Sequence, residues 1–192
     1  MPQPKATLHA WQQALVALCL ALLCACGGVQ ASEAPVPPGE LARDLEKPVL
    51  AGSGRLRVFG FSVYEARLWT APQFQPERFG AHPFALEILY ARTISASMLT
   101  DATLKQMQAL DAPPGVRQSD WLQALQGAFP DVKAGDRLTG VHLPDKGLRL
   151  YFNGQLHKAI DDPMLSQHFF AIWLSPATQE PRLRAQLLGR GN

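Results

Sequence analysis

Cysteine is scarce in this chain, and its placement excludes much chemistry. The three cysteines, Cys19, Cys24 and Cys26, fall within the first 26 residues. Whatever folds after them has no disulfide, no thiol nucleophile and no thiolate metal site, so its stability must come from packing. The histidines, His9, His82, His142, His157 and His168, include no pair at the i, i+4 spacing that places two imidazoles on one helix face. Neither a metal nor a cofactor is expected. No Gly-x-Ser-x-Gly turn occurs, and no glycine-rich loop opens a helix, so a nucleophile elbow and a phosphate cradle are excluded. Charge of one sign is lacking too. With 18 basic against 16 acidic residues and a net charge of +2, the field is too weak to attract nucleic acid. The apolar run Ala14 to Leu23 is too short to span a bilayer comfortably.

That run has the anatomy of an export leader instead. Lys5 supplies a positive n-region, and the apolar stretch follows it. Two exits are open: Leu23-Cys24-Ala25-Cys26 approximates a lipoprotein cleavage box, and Val29-Gln30-Ala31 fits a signal peptidase site. Residues 1–31 are read as the leader, with Cys26 as the acylated residue and membrane anchor under the first exit. The periplasm is the expected compartment, on the outer membrane if Cys26 is acylated. Residues 32–47, with Pro35, Pro37 and Pro38 close together, suit an extended tether. Residues 48–189 form the domain. With 47% hydrophobic and 18% charged residues, it has enough apolar surface for one core.

Along that domain, Gly52-Ser53-Gly54 reads as a turn, and Arg55 to Thr70 as two strands bent near Gly60. Phe84 to Ile94 alternates as a half-buried strand. Two helices follow: one capped by Ser97 and stopped at Pro113-Pro114-Gly115, the other capped by Ser119 and closed by Pro130. Arg137 to Ile160 reads as a three-stranded antiparallel meander with turns at Pro144–Gly147 and Asn153-Gly154. A helix capped by Asp161 or Asp162 and a short one from Pro181 to Leu188 complete the chain. This order predicts an α+β fold, an antiparallel sheet with helices packed on one side.

Arg55 and Arg57 enter the first strand beside many aromatic residues, with Tyr64, Tyr90 and Arg92 on neighbouring strands. A guanidinium at the mouth of an apolar cleft would hold the head of an amphipathic acid; alternatively, both arginines lie on a solvated strand face. The helical aromatics, Trp121 and Trp173 among them, are read as core.

Several segments resemble the bacterial branch of the chalcone isomerase-like family: Gly52-Ser53-Gly54-Arg55, Phe61-Ser62-Val63-Tyr64-Glu65-Ala66-Arg67-Leu68-Trp69, Phe84 to Tyr90, Phe129 to Leu138, and Ile172-Trp173-Leu174 through Gly189. The resemblance implies an open-faced β-sandwich in which a large antiparallel sheet is layered with helices. It also implies one of several roles, since the family holds plant enzymes that close a chalcone to a flavanone, non-catalytic fatty-acid binders and exported bacterial members. In both better-known branches an arginine after a glycine-rich turn meets the anion, and Arg55 matches it. The threonine the enzymes place before their Val-Tyr pair is replaced here by apolar residues, and no Tyr-and-Asn counterpart follows. The expectation is binding of a small apolar acid or lipid, with Arg55 on the carboxylate and Tyr64 and Tyr90 assisting. An isomerase of the intramolecular lyase type would need Tyr90 or His142 in the cleft. An envelope protein-interaction module would have no cavity there.

Overall fold

The computed structural model describes residues 35–110 and 118–191. The leader, the acylation site at Cys26 and the Pro113-Pro114-Gly115 stop lie outside the described residues.

Six strands form one antiparallel sheet in sequential order: β1 (Val49–Val58), β2 (Phe61–Thr70), β3 (Phe84–Tyr90), β4 (Arg137–Leu143), β5 (Gly147–Phe152) and β6 (Gln155–Ile160). Among the described residues, four α-helices accompany them: α1 (Ala96–Gln108), α2 (Gln118–Leu125), α3 (Pro163–Leu174) and α4 (Pro181–Leu187). The expected α+β class and the meander are therefore present. Alternation along each strand sorts side chains onto two faces. On one face Ala66, Leu68, Leu86, Ile88, Leu138, Leu148 and Leu150 form the main core with residues of all four helices. The helix α3 is apolar nearly all round, from Leu165 to Leu174, as suits a central helix laid across a sheet. Its start was legible: Asp162 accepts from the Leu165 N–H at 2.9 Å, and Pro163 occupies the first turn.

Three expectations need correction. Gly52-Ser53-Gly54 is not a turn but part of β1, next to a bulge between Leu50 and Gly52. Its glycines serve close approach: a Cβ on Gly52 would lie 2.7 Å from the Leu187 carbonyl oxygen, and one on Gly54 would lie 2.8 Å from Leu183 Cδ1, both on α4. The cap of α1 is Ser95 rather than Ser97, because Ser95 has the extended backbone and accepts from Met98 N–H, while Asp131 takes the Ala96 N–H at 2.7 Å. The supposed tether is folded from Gly39 onward. A 3-10 turn at Gly39–Arg43 and the residues that follow it bury Leu41 and Leu45 against Trp69, Ala85, Val141 and Tyr151 on the face of the sheet away from the helices. Two leucines four residues apart in a polar, Pro-rich stretch supply its apolar contacts, and Glu40 and Asp44 add hydrogen bonds from Arg137, Thr139 and Tyr151.

Candidate functional site

Between the sheet and the helices α1 and α3 lies a cavity of about 330 Å³, at the lower end of the range typical of small-ligand sites. Strands β1 to β3 contribute Leu56, Val63, Tyr64, Ile88 and Tyr90; α1 contributes Leu99, Ala102, Thr103 and Gln106; α3 contributes Phe169, Ile172 and Trp173. No carboxylate among the described residues lines it. The parity of the strands explains the composition: Tyr64 pairs with Tyr90 and Leu56 with Tyr64 across the ladder, so these side chains share the helix-side face.

The two tyrosines are brought together as the sequence suggests. Their rings lie 6.3 Å apart, edge to face. The Trp173 indole N–H donates to the Tyr64 hydroxyl at 2.9 Å, which leaves the phenolic proton of Tyr64 free to donate elsewhere. Burial pushes the Tyr64 pKa up to about 12, against a smaller lowering by the Trp173 hydrogen bond. Tyr90 is raised further, by burial first and then by its neighbour Tyr64. Both hydroxyls are thus protonated donors at neutral pH, and neither is poised as a base.

Arg55 is not part of this site. It pairs with Glu65 across the β1–β2 ladder, one residue out of step with Leu56, and so projects from the opposite face. There its Nε and Nη2 donate to Glu65 Oε2 at 3.2 and 3.1 Å. Its side chain is 61% exposed, bordering an open depression with Ser53, Arg57 and Gln186. Glu65 in turn accepts from Arg67 at 2.9 Å. Burial opposes ionisation of Glu65, but the two arginines outweigh it and hold its pKa below the ordinary 4.5. A row of ion pairs continues along this face through Glu87 and Arg137 to Glu40 on the 3-10 turn.

Among the described residues, the cation at the cavity is Arg92. It follows β3, is exposed, and has no carboxylate partner among the described residues. Two contacts from distant segments place it: Ala91 N–H donates to Val63 O at 3.0 Å, and Ile94 bridges to Val132. Trp173 is the second residue missed. A tryptophan on the apolar Phe169–Leu174 run of a helix gives no sequence signal that separates pocket from core. His142 lies elsewhere, with Nδ1 2.7 Å from Ser166 Oγ and Nε2 3.0 Å from the Gly80 carbonyl.

Comparison with known proteins agrees with this architecture. The chain is 31% identical over 132 residues to an uncharacterized protein of Haemophilus influenzae, a match covering 68% of this chain and 62% of that protein. The chain thus spans less than two thirds of that relative's length. Among solved structures, the fatty-acid binding protein AtFAP1 of Arabidopsis thaliana superposes with a TM-score of 0.58 at 11% identity, covering 80% of this chain and 90% of the plant protein. At that identity the likeness is one of fold. The family model described as chalcone isomerase-like matches residues 41–189, from the docked 3-10 turn to the end of α4, and the chain belongs to that family.

Proposed function

We propose that the protein binds a fatty acid or a similar apolar acid in the cavity between the sheet and α1 and α3. One observation carries the reading: among the described residues, an apolar cavity lined by no carboxylate has at its edge a guanidinium, Arg92, that itself has no acidic partner. A buried acyl chain would gain from leaving water, and Arg92 supplies a charge-assisted donor for the carboxylate. Tyr90, whose hydroxyl has no hydrogen-bond partner among the described residues, offers a second donor. The plant structural neighbour is a fatty-acid binding protein, which supports this reading. Two tyrosines held protonated suit holding an anion better than abstracting a proton.

Titration with palmitate separates the two arginines. Arg92→Gln is expected to weaken binding about tenfold or more, the worth of a hydrogen bond to a charged group. Arg55→Gln, on the other face, should leave affinity within about twofold. Failure of the wild-type protein to bind palmitate, or equal affinity in the Arg92→Gln variant, would refute the reading.

Export remains part of this proposal. The leader-like composition of residues 1–31 supports a periplasmic protein anchored to the outer membrane through an acylated Cys26. Metabolic labelling with palmitate should mark the wild-type protein and not Cys26→Ser; an unlabelled wild type would leave the signal peptidase exit after Ala31.

A further inference from the structure

The tip of the β1–β2 hairpin breaks a local rule. Phe59 and Gly60 take φ +50 and +84, the left-handed pair of a two-residue hairpin turn, for which Asn-Gly is the favoured filling. The β5–β6 hairpin obeys the rule with Asn153 and Gly154 at φ 48 and 86. A bulky aromatic in the left-handed region is an outlier, and a residue set against its own backbone preference without a gain in packing points to function. Packing gains nothing here: Phe59 is 96% exposed and Phe61 72%.

This tip adjoins the cavity. Val58, half exposed at the end of β1, lines it, and Met98, at 62% exposed on the first turn of α1, lines it as well. Arg92 sits at the same mouth, and Arg57 stands two residues before the tip; neither has a carboxylate partner among the described residues. Exposed aromatic side chains beside unpaired arginines match a membrane interface, where rings enter the acyl boundary and guanidinium groups meet lipid phosphates.

We propose that the Phe59-Gly60 hairpin tip and the cavity mouth dock on an anionic lipid bilayer. Phe59 and Phe61 insert at the headgroup boundary, Arg57 and Arg92 lie at phosphate level, and the cavity opens toward the membrane. Passage of an apolar acid between cavity and bilayer is the consequence that rests on the binding reading; docking itself does not.

The test uses the full chain with Phe59→Trp, and with Phe61→Trp as a second reporter, on vesicles of phosphatidylethanolamine and phosphatidylglycerol at about 3:1 with brominated acyl chains. The native tryptophans are common to wild type and variants, so the difference spectrum isolates the tip even where the leader also holds the membrane. The expected result is a blue shift and quenching of the difference signal. Arg57→Gln should lower the docking equilibrium about fivefold, and replacing phosphatidylglycerol by phosphatidylcholine should lower it further. With Phe59→Ser and Phe61→Ser combined, palmitate affinity should be unchanged while transfer of a fluorescent fatty acid to vesicles slows more than tenfold. A solvent-like, unquenched signal from both reporters would overturn docking and leave the tip to a protein partner. Quenched reporters in a protein that binds no palmitate would uphold docking and sink the binding reading alone.

Discussion

The Tyr64 hydroxyl serves two neighbours, as acceptor for the Trp173 indole on α3 and as part of the cavity wall. Tyr64→Phe keeps the ring and removes the acceptor, so the indole N–H of a residue only 9% exposed loses its partner. An unsatisfied buried donor costs about 1–3 kcal/mol, and an unfolding free energy lowered by that amount, seen as a lower urea midpoint with a changed Trp173 emission, is expected. An unchanged midpoint would mean that water entering the cavity replaces the hydroxyl. At this scale the sequence was half legible. Tyr64 and Tyr90 were recoverable because aromatic alternation puts them on the apolar face of their strands. Arg55 was misplaced although the parity was on view: Leu56 and Val58 face the cavity, so the arginine preceding Leu56 faces away. Arg92 follows its strand, and contacts made with Val63 and Val132, one about 30 and the other 40 residues away in sequence, put it where no local pattern could.

Glycines in β1 set how closely α4 can approach the sheet. A methyl group on Gly52 would meet the Leu187 carbonyl oxygen at 2.7 Å and the Gly189 nitrogen at 2.8 Å, both backbone atoms that cannot rotate away. Gly52→Ala must therefore shift α4 or the bulged strand, and a loss of about 1–3 kcal/mol in urea unfolding is expected, the usual range for overpacking. Gly39→Ala is the matched control, since a methyl group there meets nothing within 4 Å; it should change stability by less than about 0.5 kcal/mol. If the two variants behave alike, close approach is not what Gly52 provides. Elements differ in how far the chain displays the cause of their structure. The meander, with its Asn153-Gly154 turn, and the Asp162-capped α3 follow from local chemistry that the chain displays. Gly52-Ser53-Gly54 carries the composition of a turn, yet the reason for its glycines is a helix more than 120 residues later. Leu41 and Leu45 likewise look like part of a Pro-rich tether until Trp69 and Tyr151 provide a surface for them.

Across the whole molecule, one buried imidazole joins the sheet to two elements outside it. His142 on β4 is 1% exposed, packed against Phe84 and Phe170. The Gly80 carbonyl can only accept, so Nε2 carries the proton and donates to it, and Nδ1 accepts from Ser166 on α3. The neutral ring is satisfied on both sides. Burial pushes its pKa below the ordinary 6.5, outweighing the opposing hydrogen bond to Gly80. As pH falls through 6.5, the unfolded chain takes up a proton that the folded one refuses. Stability is therefore full above about 6.5 and declines on acidification, with a slope of at most about 1.4 kcal/mol per pH unit for one proton. The decline ends once pH passes the folded-state value. Carboxylates held low by their partners, Glu65 and Asp136, lose their contributions only as pH falls below the ordinary 4.5 and 3.8, so the two regimes separate. Urea unfolding of wild type and His142→Gln at pH 7.5, 6.5 and 5.5 reads the effect as a difference of slopes, which survives any fixed cost of the substitution. Wild type should lose stability between the last two points while the variant stays flatter; parallel lines would assign the acid sensitivity of the fold to another group.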